Sequence, residues 1–182
     1  MDTNMIVIIM IAVVVLVVVA FVVWFILRKR RTKELRKRFG SEYDYTLDKT
    51  GGQRLAEEEL AKREKRVHAL EIHRLSPEER ENFLGRWRVI QTDFVDEPSA
   101  AVEKADQLIK EVMQALGFPV DDFEKRAADI SVIHPNVVPN YRSAHAIANK
   151  NKLGEVGTEE LRQAFVNYRA LFEELLEVEK TD

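Results

Sequence analysis

The sequence predicts an all-α protein: one N-terminal transmembrane helix followed by a cytoplasmic helical bundle. Three observations carry this reading. Residues 5–27 are uncharged and almost wholly aliphatic. They run straight into a basic cluster, Arg28, Lys29, Arg30, Arg31, Lys33, Arg36, Lys37 and Arg38. Beyond it, apolar residues recur at spacings of three and four between glycine and proline breaks, the period of helices that bury one face.

The first segment is an anchor by length and composition. At about 1.5 Å per residue it reaches roughly 34 Å, slightly more than the ~30 Å hydrocarbon core of a bilayer. Eighteen of its 23 residues are Val, Ile, Leu or Phe, each favouring insertion by about 0.3 to 0.6 kcal/mol near the centre of a span. A cleaved signal peptide would carry its charge in front and a small-residue cleavage site behind, and this segment has neither. Four residues precede it and the basic cluster follows, so the positive-inside rule puts the N-terminus outside and the C-terminal domain in the cytoplasm. Trp24 and Phe25 mark the inner headgroup layer. The cluster sets topology and offers positive charge to anionic lipid. The expected organisation is a tail 1–4, a span 5–27, a basic segment 28–38, a connector and polar helix 39–75, a bundle 76–178 and a tail 179–182.

Gly40 is expected to end the first helix, with Ser41 capping a short turn that carries Tyr43 and Leu47 up to Gly51-Gly52. From Gln53 to about Ile72, strong helix formers carry only a thin apolar stripe, Ala56, Leu60, Val67 and Leu70, suited to a solvated helix or a weak coiled-coil seam. Ser76-Pro77-Glu78-Glu79 opens the bundle with a capping box. Phe83, Leu84, Trp87, Ile90 and Phe94 then recur at helical spacing, which outweighs a strand reading of Val89 to Val95. The next helix follows Pro98, buries Ala101 to Leu116 on one face and is capped by Gly117. Asp121 with Glu124 opens a short helix through Phe123, Ala127 and Ile130 that ends before His134-Pro135. Asn136 is expected to cap the helix bearing Val138, Tyr141, His145 and Ala148. Thr158 is expected to cap the last, with Leu161, Phe165, Tyr168, Phe172 and Leu175. Three long and two shorter helices joined by short breaks imply a compact bundle.

Composition excludes several functions. Residues 39–182 hold 20 Lys and Arg against 29 Asp and Glu, a net charge of −9, so this part repels nucleic acid. There is no cysteine, which removes disulfides, thiolate catalysis and cysteine-held zinc. Gly51-Gly52 lacks the Lys-Ser or Lys-Thr of a phosphate loop, and no serine sits in a Gly-x-Ser-x-Gly turn. Paired acids such as Asp121-Asp122, Glu159-Glu160 and Glu173-Glu174 fit helix starts and solvated faces better than opposed catalytic carboxylates. His68 and His73, five apart, do not make a helical metal pair and read as surface residues. The sequence implies no cofactor. Asp129, His134, Tyr141, Arg142 and His145 could converge on one pocket suited to a small ligand or proton transfer. Against that stands a simpler arrangement in which Asp129 pairs with Arg142, Tyr141 packs and His145 is satisfied.

Phe94-Val95-Asp96-Glu97-Pro98, Arg126-Ala127-Ala128-Asp129-Ile130-Ser131-Val132, Tyr141-Arg142-Ser143-Ala144-His145, Leu161-Arg162-Gln163-Ala164 and Tyr168-Arg169-Ala170-Leu171-Phe172 carry a resemblance. The chain from about Phe39 to Leu176 resembles a bacterial family of single-pass membrane proteins with a C-terminal helical cytoplasmic domain and no assigned activity. The resemblance implies a bacterial inner-membrane location. With no complete catalytic constellation, the expectation is a domain that engages another protein, or itself, beside the lipid bilayer. The surface expected to do so lies beside Trp87 or the aromatic face of the last helix, unless those aromatics form core.

Overall fold

The computed structural model describes residues 3–177, and of residues 3–9, 11 and 12 the backbone alone. The expected tail 179–182, residue 178 and the first two residues lie outside the described part. Every element is a helix, eight among the described residues, with no strand. The chain divides into two units, Met1–Arg38 and Phe39–Asp182.

The first unit is a single helix. α1 (Thr3–Phe39) runs unbroken through the apolar segment and the basic segment, about 55 Å at the usual rise. Met10 and every residue from Val13 to Arg31 are exposed; the large apolar side chains from Val13 to Leu27 each keep roughly half their surface or more. Arg28 lies 5.3 Å from the Trp24 ring centroid and Lys29 5.9 Å from that of Phe25, within cation–π range. Among the described residues no helix is long and apolar enough to cross a membrane. The start of the expected span, 5–9, 11 and 12, has side chains outside that description.

The second unit begins with a helical pair. Where a short turn is expected, α2 (Ser41–Thr50) is a full helix, entered through Gly40 at φ 52° and closed by Gly51 in the left-handed region. α3 (Gln53–His68) stops four residues earlier than the composition suggests. Its thin stripe is not solvated: Ala56, Leu60 and Val67 are buried, together with Glu57 and Arg63. α3 packs on α2 and on α6, so no coiled-coil seam is needed to cover it.

The bundle proper is α4 (Pro77–Asp96), α5 (Pro98–Ala115), α6 (Phe123–Ile133), α7 (Val138–Asn151) and α8 (Thr158–Leu176). α5 is central, packed against α4, α7 and α8, while α7 and α8 pair closely. α4 starts with the expected capping box: Glu79 N–H donates to Ser76 Oγ at 3.2 Å, and Ser76 N–H donates to Glu79 Oε2 at 2.9 Å. Trp87 stacks on Phe165 and Phe172, with centroids 5.1 and 4.6 Å apart. The aromatic face of α8 is therefore core, joined there by Leu108, Ile109, Val112 and Met113 of α5.

Three caps differ from expectation by one position. α6 is capped by Asp122, whose Oδ2 accepts from Lys125 N–H at 3.1 Å, not by Asp121. α7 begins after Val137 with no side-chain cap, because Pro139 in its first turn already lacks one of the N–H groups a cap would serve. α8 starts at Gly157, whose N–H is taken by Glu160 Oε2 at 3.2 Å. Gly117 closes α5 as its position suggests, and for a second reason. Its φ is +92°, and a Cβ there would lie 2.5 Å from the Glu71 carbonyl oxygen. The α3–α4 connector crosses at this point, with His73 N–H donating to Leu116 O at 3.1 Å.

Candidate functional site

The most concentrated polar chemistry lies where α2 and α3 meet α6 and α7. The Glu42 side chain is 1% exposed, and a buried carboxylate needs a cation and hydrogen bonds to remain ionised. Arg63 of α3 supplies Nη1 at 2.9 Å and Arg142 of α7 supplies Nη2 at 3.0 Å. Arg142 then reaches both oxygens of Glu124 on α6 at 3.0 Å. Its guanidinium lies 4.0 Å from the Tyr45 ring centroid. Glu124 also accepts from Lys49 Nζ at 2.7 Å and from the Tyr45 hydroxyl at 3.2 Å. One face of α2 thus presents Glu42, Tyr45 and Lys49, spaced three and four residues apart, to a complementary edge of α6 and α7.

Protonation equilibria follow from this packing. Burial would lower the Arg142 pKa, but Glu42 and Glu124 outweigh it and hold the guanidinium above its ordinary value. Partial burial would raise Glu124, and Lys49 and Arg142 bring it below the usual carboxylate range. Hydrogen bonding to Glu124 raises Lys49. Arg142, Glu124 and Lys49 therefore all keep their charge near neutral pH.

A second cluster lies inside the bundle. Asp106 of α5 is 5% exposed. It accepts from the Tyr168 hydroxyl at 2.8 Å and pairs with Lys110 at 2.6 Å, while His145 Nδ1 stands 3.6 Å away, too far for a hydrogen bond. Burial acts to raise Asp106, but His145, Lys110 and Tyr168 together hold it well below the usual range. Burial and the Asp106 charge push the Tyr168 hydroxyl far up. His145 is stacked on Phe123, with centroids 3.6 Å apart and planes within 9°.

The five residues expected around one pocket are distributed among separate partners. Asp129, fully buried, takes Arg66 Nε at 2.7 Å rather than Arg142. His134 Nδ1 meets Glu174 Oε1 at 3.0 Å. Tyr141 accepts from Arg126 Nε at 3.3 Å, and burial raises its hydroxyl. Tyr141 and His145 share Phe123 as a neighbour, whereas Arg142 faces α2. Among the described residues no group of three or more His, Asp or Glu could hold a metal ion. His68 and His73 are exposed.

Sequence reasoning misses Glu42, Arg63, Arg66, Asp106 and Glu124 as partners in these clusters. Asp106 does carry a signal: it falls on the 102–106–109–113 stripe of an otherwise apolar face, where a carboxylate demands a partner. Glu42 carries none, since its partners are distant in sequence.

The outer side of α4 and α5 holds a groove of about 560 Å³, lined by Arg86, Val89, Ile90 and Asp93 of α4 and by Glu103, Lys104 and Gln107 of α5. Trp87 does not line it: that ring is buried in the aromatic stack of the core. Arg86 pairs with Glu111 and Asp93 with Lys104 along its rim. Gly85, partly exposed, sits inside α4, where glycine costs about 1 kcal/mol relative to alanine. A Cβ at Gly85 would meet nothing within 4 Å. No protein family, curated protein or solved structure matches this chain.

Proposed function

We propose that the chain is a single-pass membrane-anchored interaction protein of the bacterial inner membrane, with its N-terminus outside and its helical domain in the cytoplasm. That domain holds another protein, or a second copy, beside the bilayer. The observation that carries this reading is α1. It presents large apolar side chains on every side from Val13 to Leu27, and solvated Arg and Lys begin at Arg28. An apolar cylinder without a polar face suits hydrocarbon rather than water, and the charge that follows it favours the cytoplasmic side. The bacterial assignment rests on the resemblance alone.

The role of the domain rests on how its polar groups are used. Glu42, Arg63, Arg142, Glu124, Asp106 and Asp129 are engaged in pairs that join helix to helix. What faces outward is an acidic surface and the groove between α4 and α5. The alternative, a ligand sensor or enzyme using Asp129, His134, Tyr141, Arg142 and His145, has three buried atoms without a hydrogen-bond partner in its favour, Asp129 Oδ2, His134 Nε2 and His145 Nδ1, but these residues are engaged with separate partners.

The experiment is carbonate extraction of membranes containing the full chain, with a reporter fused to the C-terminus. Retention in the pellet with the reporter active only in the cytoplasm is the expected result. Release by carbonate, or activity only in the periplasm, overturns the reading.

A further inference from the structure

The outer face of α4 carries features that the folded chain does not itself require. Gly85 interrupts a helix interior, although a Cβ there would meet nothing within 4 Å beyond its own turn of helix. Val89, one turn further, is 61% exposed. Charge of opposite sign flanks that valine: Arg86 lies about one turn before it and Asp93 about one turn after it, while Arg88 is taken up by Glu81. The groove shared with α5 opens along the same face.

We propose that this face binds a second copy of the chain, α4 against α4 in antiparallel sense about a two-fold axis at Val89. The proposal rests on the reading of the domain as an interaction module and names its partner. A two-fold interface must be self-complementary, because the same patch faces itself. Arg86 lies three residues before Val89 and Asp93 four after it, about 4.5 and 6 Å along the helix axis. Antiparallel alignment therefore brings Arg86 of one copy beside Asp93 of the other, twice. With the partners each already has, this builds an alternating row, Glu111, Arg86, Asp93 of the second copy and Lys104 of the second copy.

A parallel arrangement would set Arg86 against Arg86 and Asp93 against Asp93. A partner of uniform charge would satisfy only one half of the face. Gly85 has a role in the antiparallel case, since the missing side chain lets the second backbone approach beside Val89. The valine supplies the apolar centre and the charges supply the rim, the usual anatomy of a specific interface.

The absence of cysteine allows a clean test on the full chain in detergent micelles. Val89→Cys should give a disulfide-linked dimer on mild oxidation, while Leu55→Cys, exposed on α3, should not. On the Val89→Cys background, Arg86→Asp and Asp93→Arg should each lower the dimer yield severalfold, and the double exchange should restore it. Gly85→Ala separates packing within the chain from contact between chains. It should raise the melting temperature, because alanine suits the helix, yet lower the dimer yield.

Crosslinking at Val89 no stronger than at Leu55 overturns the proposal, as does a double exchange that dimerises less than either single one. A Gly85→Ala chain that dimerises as well as the parent also overturns it. These outcomes are read in micelles, independently of carbonate extraction, so failure of self-association and failure of the anchor reading are told apart.

Discussion

Glu42 accepts a hydrogen bond from Arg142 at 3.0 Å across 100 residues of chain. Arg63 closes on the same carboxylate oxygen at 2.9 Å. Two cations on one buried anion tie α2 and α3 to α7, beside buried apolar side chains of their own, Tyr43, Ala56, Leu60 and Val67, that stand outside the bundle's core cluster.

Glu42→Ala should therefore cost up to about 3–5 kcal/mol, since Arg63 and Arg142 each lose a buried partner and keep only the more exposed Glu59 and Glu124. Replacing all three residues together, Glu42→Leu with Arg63→Met and Arg142→Met, should recover most of that loss, since a buried ion pair adds little over apolar packing. Urea denaturation followed by Trp87 fluorescence in a Trp24→Phe background measures both. A triple variant less stable than Glu42→Ala would show that the joint contributes net stability.

Acid should weaken the fold through Asp106. Its carboxyl is held below its ordinary value near 3.8, so its contribution is fully present above about pH 5 and declines as pH falls through the acid range. Asp106→Asn should lower the melting temperature at pH 7 and flatten its fall between about pH 5 and 2. Thermal melting across that window gives the result. Parallel curves for the two proteins would assign the acid response to other carboxylates, Glu124 among them.

Tyr168→Phe removes a buried donor to that same carboxylate at 2.8 Å. Hydrogen bonds to charged groups contribute about 1.5–3 kcal/mol, and a loss in that range is expected from denaturation. Lys110 still pairs with Asp106 in this variant, so the loss should be smaller than that of Asp106→Ala.

Gly117→Ala should destabilise by at least about 1–3 kcal/mol, through the left-handed backbone and the approach of Glu71 O. Gly85→Ala, under the same denaturation assay, should move in the opposite direction. Two glycines of one chain would then differ in sign for reasons visible in their surroundings.

The bundle is legible in the sequence because its signals are local. Ser76 with Glu79, Pro98, Gly117 and the three-and-four spacing of Phe165, Tyr168 and Phe172 each announce a helix within a few residues. Caps are harder to place because adjacent residues compete for one helix end, Asp121 against Asp122 and Gly157 against Thr158. α2 reads as a mere turn because its polar face, Glu42, Tyr45 and Lys49, looks solvated until Glu124 and Arg142 are known to lie opposite. Asp129 points to the wrong arginine for the same cause: Arg142 is near in sequence, whereas Arg66 arrives from α3. Long-range charge pairing leaves no periodicity to read.

The distance in sequence between Glu42 and Arg142 also has a consequence during synthesis. At about 5–20 residues per second, the ribosome needs roughly 5–20 s to progress from one to the other. Throughout that interval the nascent α2 can meet α3 but not α7. Pairing of the early helices and completion of the fold are thus separate events in time, and the second waits on translation of α7.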